Sequence, residues 1–349
     1  MANYFFCRTF AHAKRMKGVC GLKNGALAQL VEHRTENPCV PGSIPGGTTP
    51  PFISPVFRKE PGFLFIYKIM GIVIGIDVGI STTKIVGISD GKVTAPIRIT
   101  AADPITSLYG AFGKYLHDNN IDLKDVEKVM LTGVGSAYIK GAVYGLPTDT
   151  AEEFIADGLG ARYESKLDHT IVVSMGTGTS FVKCDGNDMK HIGGIGIGGG
   201  TLQGLSRIML NTSDVKQVVS LALQGDIRNI NLRIGDITTQ PLPGLPMDAT
   251  ASIFARAKND APKEDIACGI ISMVLQSIGS AAVLAGLGTG IKDFVLIGNL
   301  TLLPQCKDIF PALEKLYHVH FHIPKYSQYC TAIGAALYYL NNKSNQESK

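Results

Sequence analysis

One strand–turn–strand pattern occurs twice in this chain and constrains it more than any other feature. Residues 72–88 read IVIGIDVGISTTKIVGI and residues 170–184 read TIVVSMGTGTSFVKC. Each is an apolar run, a turn of glycines and hydroxyl residues, and a second run. The residues after the first turn (Thr83, Ile85, Val86, Ile88) are β-branched, which favours a second strand over a helix. No GxxxxGK[ST] pattern is present, so this is not the usual loop from strand into helix. Two such units about one hundred residues apart predict two related halves facing one cleft.

A shared cleft with a hydroxyl-rich turn on each side suits a nucleoside triphosphate. Backbone N–H groups, including that of Gly79, and the hydroxyls of Ser81, Thr82, Thr83, Thr177 and Thr179 are expected to clasp phosphates, with Gly176 and Gly178 shaping the second turn. Asp77, at the end of the first strand, is the expected Mg²⁺ partner through water, and Lys84 can reach a phosphate if it turns toward the cleft. Taken singly, each turn reads equally well as an ordinary hairpin.

The remaining pattern alternates strand and helix, which argues for an α/β chain. Strands are expected near 71–78, 83–89, 92–99 and 127–132, and helices near 104–118 and 150–162. Residues 268–291 carry no charge and are long enough to cross a bilayer. Polar residues and glycines dilute them, so they read as a core helix. Residues 238–248, TTQPLPGLPMD, read as a loop connecting helices. The histidines of HVHFHI (His318, His320, His322) alternate as on one face of a strand, a spacing open to zinc but read here as a polar edge.

Charge is unevenly spread. The chain has 33 Lys+Arg against 29 Asp+Glu. Residues 1–69 hold nine basic and three acidic residues, so residues 70–349 hold 24 against 26, a net of −2. That remainder offers no electrostatic case for nucleic acid. Seven cysteines without a CxxC pair fit reduced thiols in a cytoplasmic protein. Residues 1–69 have no sustained periodicity and break in composition at Met70. They read as a non-native or disordered extension before a first half at 70–165 and a second at 166–349; a transit peptide is the alternative.

GIDVGISTTK, SMGTGTSF and VLIGNLT resemble the phosphate 1, phosphate 2 and adenosine motifs of the actin, sugar kinase and heat-shock chaperone ATPase superfamily. Within it, AEEFIADGLGARY and HIGGIGIGGGTLQGLS are similar to the type II pantothenate kinases. The resemblance implies two ribonuclease H-like halves with an ATP cleft between them, ATP and Mg²⁺ as cofactors, and phosphorylation of the primary hydroxyl of pantothenate, the first step toward coenzyme A. It implies Glu153, before Phe154, as general base. It implies that Gly198, Gly199 and Gly200 lead into a helix near Thr201 facing phosphates and substrate, with Gly298 and Asn299 beside the adenosine. His191 and Gly193 fall at the substrate position. Histidine stands there where the well-known members have arginine, which leaves another alcohol or a sugar as an alternative substrate. A non-enzymatic ATP-dependent switch is a further alternative. The family also implies a homodimer, with the apolar helix at 264–290 as a candidate interface. GIGIGG at 194–199 satisfies GxGxxG, but no acidic residue ends a second strand at the required spacing, so a dinucleotide fold is not expected.

Overall fold

In the computed structural model, residues 71–80, 82–100 and 103–347 are described. The expected extension at 1–69 and the phosphate-turn residue Ser81 lie outside them.

The first sheet is built from β1 (Ile72–Val78), β2 (Thr82–Ser89), β3 (Lys92–Val93), β4 (Ile97–Thr100), β5 (Val126–Thr132) and β6 (Thr148–Thr150), in the order β3-β2-β1-β5-β6 with β4 also on β2. Helix α1 (Pro104–Asn119) precedes β5, and α2 (Glu153–Ser165) follows β6. The second sheet comprises β7 (His169–Met175), β8 (Thr179–Asp185) and β9 (Asp188–Ile195). Next come α3 (Gly199–Leu210), α4 (Val215–Ala222), β10 (Leu232–Arg233), α5 (Ile234–Ile237), β11 (Thr250–Ser252) and α6 (Lys263–Gly286). Then follow β12 (Asp293–Ile297), α7 (Cys306–Tyr317), β13 (His320–His322) and α8 (Cys330–Glu347). The second sheet runs β13-β12-β7-β8-β9. In both sheets an antiparallel hairpin lies beside a strand parallel to its first member. The two sheets therefore share one topology, as the repeated pattern predicts.

The expected strand at 92–99 is two short ones. Pro96 has no N–H to give to a ladder, so pairing stops at Val93 and resumes at Ile97. The loop at 238–248 joins α5 to β11 rather than two helices. His318 leaves the expected histidine row: it caps α7 in left-handed conformation, and His320 and His322 alone lie on the strand.

Asp103 caps α1 by accepting from the Thr106 N–H at 2.7 Å, and Pro104 supplies a fixed φ at the first turn. The buried face of α1 (Leu108, Phe112, Tyr115) packs on Ile74, Ile76 and Val78 of β1. Helix α6 is long and apolar enough to cross a membrane, yet Ile270, Ile271, Val274, Leu275 and Ile278 are fully buried in the core under the second sheet.

Helices α2 and α8 trade places. α2, which ends the first half in sequence, packs Ala161 against Val172, Val182 and Val295 of the second sheet. α8, at the far end of the chain, packs Ala332, Ile333 and Ala336 against Val73, Val86 and Met130 of the first. The helices cross with backbones touching, and a Cβ on Gly334 would overlap the Ala156 carbonyl oxygen. This crossing holds the start of α2 so that Glu153 faces Asp77 and Lys84 of the first hairpin.

Candidate active site

The first hairpin sets Asp77 opposite Lys84. Their side chains form an ion pair at 2.9 Å, each only 9% exposed. Burial disfavours the Lys84 ammonium, but the carboxylates of Asp77, Asp157 and Glu153 outweigh it and the pKa goes up. Lys84 is thus spent on an acid cluster rather than extended toward a phosphate. Gly79 donates its N–H to the Thr82 carbonyl at 3.0 Å, closing the turn. Side chains alternate along a strand, so Thr83 points away from Lys84. It is 1% exposed, and its hydroxyl accepts from Ser107 at 2.7 Å. Thr83 therefore leaves the expected phosphate-facing set. Thr82 stays within it, in long contact with Asn299 across the cleft at 3.5 Å. Asn299 follows Gly298, whose positive φ turns the chain after β12, and its Oδ1 is buried without a hydrogen-bond partner.

The second turn is built differently. Gly199 and Gly200, in the first turn of α3, donate their N–H groups to the carbonyls of Gly176 and Thr177 at 2.8 and 2.9 Å. The Gly198 N–H goes to the Thr201 hydroxyl at 3.2 Å, which in turn donates to Gly196 at 3.1 Å. Thr179 donates to the Ile197 carbonyl at 2.8 Å. The three glycine N–H groups expected to face a ligand are thus used to hold the turn against α3. Gly176 and Thr177 are exposed at its tip.

Glu153 is the first residue of α2, while Glu152 is its exposed N-cap. The Ala151 N–H donates to Leu131 at 2.8 Å and pins this start to the first sheet. The Glu153 carboxyl is pushed up to about 7, by burial first and then by the negative charges of Asp157 and Asp77, with Lys84 opposing. It lines an open pocket of about 600 Å³ with Gly133, Ser136, Ala137 and Thr150. His191, on β9 near a register break, stacks on Phe154 with ring centroids 4.0 Å apart and planes 14° apart. This puts its imidazole over the residue next to Glu153. Gly193 lies just past the break, with φ 147°.

Sequence reasoning passed over Asp157. It is pushed up to about 6, chiefly by burial. A signal was there to find: Glu153 and Asp157 stand four apart in a helix and so share a face. Three carboxylates against one lysine make a site able to receive a cation or a proton. Among the described residues, no group of three or more His, Cys, Asp or Glu is arranged to hold a metal by itself.

The family model Fumble matches residues 136–337. A type II pantothenate kinase of Staphylococcus epidermidis is 34% identical over 136 residues, covering 38% of this chain and 51% of that protein. One from Staphylococcus aureus is 28% identical over 236 residues, covering 65% and 84%. The chain thus spans about half the length of the first relative and most of the second. Among solved structures, the activator of the 2-hydroxyisocaproyl-CoA dehydratase from Clostridium difficile with bound ADPNP aligns with a TM-score of 0.59 at 19% identity. It covers 80% of this chain and 98% of that one. The fold is the actin-like ATPase fold.

Proposed function

This chain belongs to the Fumble family, the type II pantothenate kinases, and on that premise we propose that it transfers the γ-phosphoryl group of ATP to the primary hydroxyl of pantothenate. The observation that carries the reading is the half-buried Glu153, held up at about 7 on the wall of an open pocket and facing the Asp77–Lys84 pair of the first hairpin. A base poised near the working pH suits proton removal from an alcohol. The pantothenate oxygen attacks the γ-phosphorus, the bond to the ADP oxygen breaks, and Glu153 accepts the hydroxyl proton. Thr82 and the exposed tip at Gly176–Thr177 hold the phosphates. The unpartnered Oδ1 of Asn299 fits a ribose hydroxyl or another donor of the nucleoside.

The acid-rich cluster also fits a divalent cation. Mg²⁺ keeps most of its waters and takes one or two carboxylates with the phosphates. Asp77 is the residue to hold it through water, with Lys84 balancing the remaining charge; the ion would neutralise charge on the phosphates.

His191 favours one second reading. A stacked imidazole has a shorter reach than the arginine of better-known members and is not permanently charged, so a different alcohol or a sugar is the alternative substrate. The full chain incubated with ATP and a panel of hydroxyl compounds, with products read by mass spectrometry, tests both. Phosphopantothenate is the expected product. Turnover of another alcohol with none of pantothenate refutes the substrate, and no turnover of any alcohol with retained ATP binding favours the switch.

A cytoplasmic setting accords with the reduced, buried Cys184, Cys306 and Cys330. The homodimer remains part of the proposal. Most of α6 is covered by its own chain, so an interface there would rest on its exposed C-terminal end, at Leu284 and Leu287. Light scattering on the purified protein tests it.

A further inference from the structure

Asp157 is the buried acid that the transfer step leaves without a role. It lies one turn beyond Glu153 on α2 and is 1% exposed. Thr331 of α8 donates to its Oδ1 at 2.6 Å, and Ser174 of β7 stands beside the carboxyl and favours its charged form. Its Oδ2 is equally buried and has no hydrogen-bond partner. A neutral amide would accept from Thr331 as well as an acid does, and a buried charge is costly to keep. What the acid adds is charge. The charged and titratable groups facing it are Asp77 on β1, Lys84 on β2 and Glu153 on its own helix, with the thiols of Cys184 on β8 and Cys330 on α8, both kept neutral by burial.

The geometry points to Asp157 as a positioning residue for the transfer step: its charge, held in place by Thr331 and Ser174, opposes charge on Glu153 and so strengthens Glu153 as acceptor of the substrate's hydroxyl proton. This rests on the reading of Glu153 as general base. It also ties the base to both halves, since Thr331 rides on the helix that packs under β1 and Ser174 lies on the strand leading into the second turn.

The decisive variant is Asp157→Asn in the full chain, which keeps an oxygen for Thr331 and removes only the charge. Carboxyl titration followed by ¹³C NMR, with Glu153→Gln to assign the Glu153 signal, reads the coupling without any substrate. The Glu153 midpoint is expected to move to lower pH by up to about one unit. With ATP and pantothenate, the acidic limb of kcat is expected to move the same way, while plateau kcat falls about three- to tenfold and KM for pantothenate changes less than about twofold. An unmoved Glu153 midpoint overturns the proposal whether or not pantothenate is turned over. A moved midpoint with an unmoved kcat limb overturns its catalytic part. Absence of turnover on any alcohol refutes the kinase reading, and the titration still decides the coupling. If Asp157→Asn fails to fold, Thr331→Val serves: losing its donor makes Asp157 harder to ionise, so the Glu153 midpoint moves in the same direction by less, and no movement overturns the proposal.

Discussion

The two hairpin turns start from the same local pattern and reach different ends. Each joins the central strand of its sheet to an antiparallel neighbour, and each is rich in glycine and hydroxyls. At matching register, however, the first sets Asp77 against Lys84 and the second sets Ser174 against Ser180. The first is a buried charge site. The second is a clamp made of backbone, held by the N–H groups of Gly199 and Gly200. Turns that look alike in composition are therefore distinguished by one residue at the strand end. A carboxylate there recruits a lysine, which Asp157 and Glu153 also face; a serine recruits no lysine and serves only to hold the Asp157 carboxyl.

Variants on the charged side should cost more than variants on the clamp. The largest effect is expected from Glu153→Gln, which should lower kcat by about 10²–10⁴-fold, with ATP binding by calorimetry unchanged. Full turnover would remove Glu153 as base. Asp77→Asn comes next. It takes away the ion-pair partner of the buried Lys84 ammonium and leaves only the charges of Asp157 and Glu153 facing it, which should destabilise the protein by about 3–5 kcal/mol in urea unfolding. Combining it with Lys84→Met should recover much of that stability without activity. A loss below about 1 kcal/mol would mean that the pair is no more than a surface bridge.

The third effect concerns pH. Glu153 and Asp157 sit at about 7 and about 6, above their ordinary 4.5 and 3.8. Between those limits the folded chain binds more protons than the unfolded one. The stability their neutral forms contribute is therefore complete below the ordinary values and lost as pH rises through the raised ones. Glu153→Gln should accordingly raise the unfolding free energy at pH 8 by about 1–3 kcal/mol, and the difference should close as pH falls toward 4.5. A stability gain alongside the activity loss would identify a group held in place for function. The smallest effect belongs to the clamp. Thr177→Val should raise KM for ATP several-fold, worth about 1 kcal/mol, with stability unchanged within about 0.5 kcal/mol. A kcat loss rivalling that of Glu153→Gln would erase the contrast between the turns.

Much of the fold was legible from the sequence because hairpins are local. Alternating β-branched residues around a glycine turn predict both β1–β2 and β7–β8, and the uncharged run from 268 supplies most of the core helix α6, which ends at Gly286. The break at Pro96 was also readable, through its missing N–H, and so was the turning away of Thr83, through period two. The candidate site was legible less completely. Glu153 and the Asp77–Lys84 pair of the first hairpin come together in the structure, whereas the clamp role of Gly199 and Gly200 depends on the carbonyls of Gly176 and Thr177, well upstream, which no local pattern announces.

By itself the sequence determined the two strand–turn–strand units, the acid that ends the first and the acid that opens α2. Only the tertiary structure decided what those acids are. Asp157 and Thr331 are 174 positions apart, and they meet because α8 returns to pack beneath the first sheet while α2 packs on the second. A side chain's type is written locally. Its burial and the charges that face it are set by segments distant in the chain, and in a low-dielectric interior those two quantities decide whether a carboxylate is a solvated surface charge or a base near neutral pH.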